Sequence, residues 1–205
     1  MKITRYRNNN KDFLKDLSDR NNLFENSKIP IVRQIIADVQ KNGDVAIIES
    51  CNKFDGANFC NSQDFLVSQQ EISEAKNNIK PQLLQALKLA YERIFSYHQK
   101  QLPQDLYHHH QNVELGNVWK AIDSVGVYVP GGTANYPSSV LMGAVPAIVA
   151  GVKNICITVP SNKGQISDAV LVAADLCGID KIYKVGGAGA IAALAFGTQK
   201  IAKVD

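Results

Sequence analysis

No stretch of this sequence is apolar over the roughly 18 residues that would span a bilayer. The N-terminal MKITRYRNNNKDF also lacks the apolar core of a secretion signal, so membrane insertion and secretion are both unsupported. Nor is there a basic block. The 22 Lys and Arg and 19 Asp and Glu are spread along the chain, and a net charge of +3 offers no stripe on which nucleic acid would dock. C-x-x-C spacing is missing as well. Cys51, Cys60, Cys156 and Cys177 stand singly, two of them inside apolar runs where a thiol behaves as a small hydrophobe. A reduced, cytoplasmic protein is the simplest expectation. Repeats of solenoid period and low-complexity tracts are also lacking. What the sequence does have is 45% hydrophobic residues, enough at this length to build a core.

Up to about residue 116 the pattern is mainly helical. Ile31, Ile35 and Val39 fall at helical spacing after Pro30, and Gly43 followed by Asp44 supplies a stop and a fresh N-cap for a second helix, Val45 to Lys53. Ser68-Gln69-Gln70-Glu71 has the form of a capping box. Pro81 opens a longer helix with Leu84, Leu87, Tyr91, Ile94 and His98 on one face, ending before Pro103. The texture then changes. VELG and VWKAIDS read as short strands, in the manner of a hairpin, and VGVYV is an uncharged β-branched and aromatic run. A helix from about Ser138 to Val152, the strand NICITVP, a helix from about Ser167 to Leu176, the strand KIYKV and a helix AIAALAFGTQ follow. This order predicts an α/β fold: a Rossmann-like parallel α/β/α sheet, partial here, preceded by a mainly helical N-terminal region. The expected division is an N-terminal arm and helical part over 1–125 and a βα domain over 126–205. IAKVD reads as the opening of another strand. The βα pattern thus looks interrupted, with an unpaired sheet edge and an uncovered helix face that predict self-association.

Two turns are candidates for chemistry. Tyr128-Val129-Pro130-Gly131-Gly132 runs from a strand end through a Pro-Gly-Gly turn into a helix, where ligands of open α/β sheets sit and glycines let phosphate approach the backbone. The same residues could simply make the turn. The second, Gly186 to Ala192, contains G-x-G-x-x-A at Gly187, Gly189 and Ala192 after a strand, the form of a dinucleotide fingerprint. Small residues at a βα turn can also produce it. Ser138 and Ser139 lack a nucleophile-elbow setting and read as caps. His108-His109-His110 reads as a solvated loop, since adjacent residues cannot all face one metal. Glu71 and Glu74 read as surface charge. These residues yield no catalytic or metal-ligating set.

Taken together, VGVYVPGGTANYPSSVLMGAVPAIVAGVKNICITVP and VLVAADLCGIDKIYKVGGAGAIAALAFGTQKIAKVD closely resemble the signature region of histidinol dehydrogenases. The likeness extends upstream through IIADVQKNGDVAIIESCNKFDG, EISEAKNNI and ALKLAYERIFSYHQKQ. It implies a homodimer of Rossmann-like domains that oxidises L-histidinol to L-histidine in two NAD-dependent steps, with a zinc ion holding the substrate. It also implies that the catalytic groups and zinc ligands lie beyond Asp205, so that this chain alone is inactive. Tyr128 matches the family's NAD-contacting tyrosine, with Gly131 and Gly132 in its turn. Gly189 stands where the family has a glutamine that touches NAD, which weakens the cofactor expectation and makes the G-x-G-x-x-A match a by-product. Gly143 in place of asparagine, and Ala121 near a usual proline, are further departures that suggest relaxed selection.

Overall fold

The structure is a computed structural model that describes residues 28–131 and 135–205. Residues 1–34 and Ile35–Asp205 separate as two units. Of the first, residues 28–34 are described. They are exposed helical turns that open α1 (Lys28–Asn42).

Within the second unit, Val39 is the buried residue of α1 and Ile35 is half-buried, whereas the Ile31 of the expected face is exposed. Gly43, at φ +57°, ends α1 by donating its N–H to the Val39 carbonyl and is itself the N-cap of α2 (Asp44–Phe54). The expected cap, Asp44, instead lies inside the first turn. Its N–H donates to Gln199 Oε1 at 2.9 Å, and its carboxylate accepts from the Lys200 N–H at 3.2 Å. Glycine suits this position because its φ is left-handed; an added Cβ would also displace the Gln199 side-chain amide.

The Ser68 capping box is present. The Ser68 hydroxyl accepts from the Glu71 N–H, and the Glu71 carboxylate accepts from the Ser68 N–H, opening α3 (Gln69–Asn78). The helix α4 (Pro81–Gln99) presents the expected face, with Leu87 buried and Leu84, Tyr91, Ile94 and His98 half-buried.

The hairpin differs from expectation. β1 (Leu106–His110) pairs antiparallel with β2 (Val113–Asn117) as a separate two-stranded sheet. The triple histidine is therefore strand, turning at Gln111 (φ +53°), and residues 118–123 are not strand. VELG found its partner upstream, in a segment whose histidines carry no apolar signal.

Three parallel strands, β3 (Ser124–Tyr128), β4 (Asn154–Thr158) and β5 (Ile182–Tyr183), lie in that order. Residues 65–67, not anticipated as strand, run antiparallel beside β5 through Val67 N–H to Ile182 O and Lys184 N–H to Phe65 O. The connecting helices are α5 (Pro137–Val149), α6 (Asp168–Leu176) and α7 (Gly187–Phe196). α5 starts at Pro137, so Ser138 and Ser139 sit inside its first turn rather than capping it. α7 starts at the glycines rather than after them, and Gly197 at φ +78° ends it.

Strand alternation sends side chains to two cores. Val127, Ile157 and Ile182 pack with α3, α4, α5 and α6, while Cys156 and Tyr183 pack with α1, α2 and α7. That is the expected α/β/α arrangement. Each fully buried Ile or Leu, such as Ile47, Leu141 and Ile157, contributes about 1.5–3 kcal/mol. Gly143 lets α5 close on β3, since a Cβ there would stand 2.6 Å from Val127 Cγ1. Residues 202–205 form no strand. Instead the Asp205 carboxylate accepts from the N–H groups of Asp123 and Ser124 at 3.1 and 3.0 Å.

Candidate functional site

The carboxyl ends of β3, β4 and β5 bring three loops together around Pro160. A Cβ on Gly131 would stand 2.9 Å from the Pro160 carbonyl oxygen, and one on Gly186 would stand 2.6 Å from Pro160 Cβ and Cγ. Both neighbours are thus tight enough to require bare backbone at positions 131 and 186. The Val129 N–H donates to the Thr158 carbonyl, and Val159 N–H to Tyr183, so the strand ladder continues into these loops.

Tyr128, the last residue of β3, spans from the first loop to the third. The residue is 37% exposed, and its hydroxyl accepts from the Gly187 N–H at 3.3 Å. The first turn of α7 carries no acidic residue, so the positive end of its dipole is unopposed. At Gly187, with φ +62°, an added Cβ would meet nothing within 4 Å. By contrast, α6 places Asp168 in its first turn, which already answers that helix's dipole.

Beside Pro160 lies a cavity of about 220 Å³ whose wall includes Pro130, Gly131, Asn135, Tyr136, Gln165 and Ser167. The hydroxyls of Thr158, Ser161 and Ser167 are buried without a hydrogen-bond partner around this β4–α6 connection. Ser167 is the expected N-cap of α6, although its hydroxyl makes no capping bond.

Of the residues singled out in the sequence, Tyr128 and Gly131 therefore lie at this edge. Gly132 falls outside the described residues. Gly189 lies in the first turn of α7, buried, and the direction its side chain would take leads to Ile47 Cδ1 at 3.5 Å and Ser50 Oγ at 3.7 Å. Pro160 and Gly186 escaped the sequence reading as partners. The Pro immediately after a strand was visible, but not the loops it separates.

Three of the four cysteines are chemically quiet. Burial pushes the Cys51 thiol up to about 12 and the Cys177 thiol up to about 11, and raises Cys156 as well. None of these three offers a thiolate near neutral pH.

The family model for histidinol dehydrogenase matches residues 18–205. Among curated relatives, the histidinol dehydrogenase of Rhizobium meliloti is 46% identical over 95% of this chain and 44% of its own length. That of Mesorhizobium japonicum is 52% identical over 84% of this chain and 40% of its own. A crystal structure of histidinol dehydrogenase from Elizabethkingia anophelis superposes with a TM-score of 0.81 at 36% identity, covering 87% of this chain and 41% of that one. The chain thus spans about two-fifths of the length of these relatives. With a family match over most of its residues and a shared fold, this chain belongs to the histidinol dehydrogenase family.

Proposed function

We propose that this chain supplies a cofactor-holding α/β unit of a histidinol dehydrogenase, with NAD lying along the carboxyl edge of the sheet between Tyr128 and the Gly186–Gly187 turn. The observation that carries this reading is the convergence of bare-backbone loops on Pro160, with Tyr128 laid over the unopposed N-terminus of α7. These residues fit a dinucleotide. Gly131 and Gly186 leave the backbone uncovered, Gly187 opens onto free space, and a helix N-terminus favours phosphate. Tyr128 would stack on a planar ring while its hydroxyl keeps the turn in place, and Gly132 would continue the glycine turn. Gly189, whose missing side chain would be directed toward Ile47 and Ser50, contributes backbone alone to the first turn of α7.

NAD, when bound, accepts the hydride removed from an alcohol or aldehyde; the chain's own contribution is to hold and orient it. Among the described residues, no group of three or more His, Cys, Asp or Glu could hold a metal ion. They therefore do not fit the family's zinc, and no step is assigned to it or to a catalytic residue of this chain.

The whole-protein reaction proposed is the family's, NAD-dependent oxidation of L-histidinol to L-histidine, with the proton-transfer and zinc-binding groups supplied by other protein segments. The purified 205-residue chain, given L-histidinol, NAD and zinc, is expected to form no NADH. Turnover by this chain alone would overturn that assignment and return attention to His98 and the 108–110 histidines.

The proposed compartment is the cytoplasm, in keeping with four free cysteines. No helix among the described residues is long and apolar enough to cross a membrane. The proposed working unit is a homo-oligomer. Supporting it, residues 101–123 contain no buried residue, and Leu106, Leu115 and Trp119 are each more than 60% exposed, an apolar surface of the kind that marks an interaction site. Light scattering after size-exclusion chromatography is expected to give a mass above that of one chain. A well-behaved monomer at micromolar concentration would count against this.

A further inference from the structure

We propose that His108 and His110 form a two-ligand surface site for a borderline divalent transition-metal ion of the copper(II), nickel(II) or zinc(II) class, on the face of the β1–β2 hairpin that also carries Leu106 and Leu115. The three consecutive histidines do not act as one group. In a strand, alternate residues share a face, so His108 and His110 stand together and His109 points the other way. There His109 Nδ1 lies 3.8 Å from Glu114 Oε2. The rings of His108 and His110 are nearly parallel, at 5°, with centroids 6.5 Å apart.

An imidazole nitrogen binds such ions at about 2.0–2.1 Å, which puts the ion about 3 Å from each ring centre. Two rings sharing an ion thus have centres roughly 5–6 Å apart. As they stand the rings are stacked face to face; both histidines are exposed, so rotation about their side-chain torsions is free to turn one nitrogen of each toward a shared ion.

The surroundings favour that arrangement. Cross-strand register sets Leu115 opposite His108 and Val113 opposite His110, and neither strand contains a Lys or Arg that would repel a cation. With two protein ligands the remaining positions belong to water. Neutral imidazole suits copper, nickel and zinc and disfavours magnesium and calcium.

Binding is also linked to the hairpin's own folding. Only an extended backbone places residues two apart on one face, and a two-stranded sheet by itself is marginal in water. An ion that binds only the folded strand stabilises it by mass action. The site shares no residue with the cofactor edge, so its presence or absence leaves the NAD assignment untouched.

The test uses the full chain without a histidine tag, in a Cys60→Ser background that removes the exposed thiol as a rival ligand. Nickel(II) is titrated by calorimetry, and backbone hydrogen exchange is followed across residues 106–117. The expected result is one site per chain whose affinity falls about tenfold or more in His108→Ala and in His110→Ala but changes less than about twofold in His109→Ala, with slower hairpin exchange when nickel is bound. Equal losses in all three variants, or a His108→Ala/His110→Ala double variant that keeps the original affinity, would overturn the proposal. Because all three side chains are exposed, circular dichroism should show the variants folded like the parent.

Discussion

Glu71→Gln is expected to cost this protein about 3 kcal/mol of stability, seen as a lower urea midpoint at neutral pH. Lys184 follows β5, its side chain is only 10% exposed, and its ammonium donates to Glu71 Oε1 at 2.6 Å. Removing one partner of a buried pair strands the other charge at a cost of about 3–5 kcal/mol; the lower end applies because Glu71 itself is a third exposed. The same carboxylate closes the capping box of α3. Ser68→Ala, which disturbs only the cap, should cost about 1 kcal/mol. Lys184→Met should also be milder than Glu71→Gln, since it leaves the carboxylate near water with its cap intact. If Glu71→Gln cost no more than Ser68→Ala, the ion pair would not have the structural role assigned to it.

The pair also sets a direction for pH. Burial works to raise the Glu71 pKa, but hydrogen bonds from Lys184 and the Ser68 N–H, with the lysine charge, outweigh it and hold the carboxyl below its ordinary value. The unfolded carboxyl titrates near 4.3. The contribution is therefore full above that pH and is lost as pH falls through the depressed folded value. Glu71→Gln should accordingly weaken the acid-induced loss of stability.

Gly186→Ala is expected to combine a stability loss of about 1–3 kcal/mol, typical of forcing extra volume into packed surroundings, with at least tenfold weaker NAD binding. The added methyl would stand 2.6 Å from Pro160 Cβ and Cγ, and a proline ring held between two loops cannot swing aside as a flexible side chain could. The turn must then move, taking with it the Gly187 N–H and the hydroxyl of Tyr128 bonded to it. Tyr128→Phe separates the two contributions. It keeps the ring and removes the hydroxyl, so binding should fall less than with Gly186→Ala. An unchanged NAD affinity in Gly186→Ala would place the cofactor elsewhere.

Features signalled within a few residues were the readable ones. The Ser68–Glu71 box, the face of α4 and the alternation of strands and helices that makes β3, β4 and β5 parallel follow from caps, helical spacing and apolar strand runs. Pairing over distance was not readable. Residues 65–67 are too short to announce a strand and acquire one from β5, while β2 joins a histidine-rich segment upstream rather than the VWKAIDS run that follows it. Lys184, within the KIYKV run, is buried against Glu71, more than a hundred residues earlier in the chain, a pairing that no local pattern signals.

The site divides in the same way. Tyr128 and Gly131 were visible because a strand ending in Pro-Gly has a local meaning. That Gly131 and Gly186 both need to be glycine because of Pro160 is a contact between separate loops. The G-x-G-x-x-A match pointed to Gly189, yet the backbone directs that position toward Ile47 and Ser50, and the turn glycines at the loop junction are Gly186 and Gly187.

The most direct measurement is a titration of the isotopically labelled chain with NAD, following backbone amides by NMR. The account predicts saturable shifts at Tyr128, Gly131, Gly186 and Gly187, with little change along the β1–β2 hairpin. No shift at those four residues at millimolar NAD, or saturable shifts centred on another surface, would contradict it.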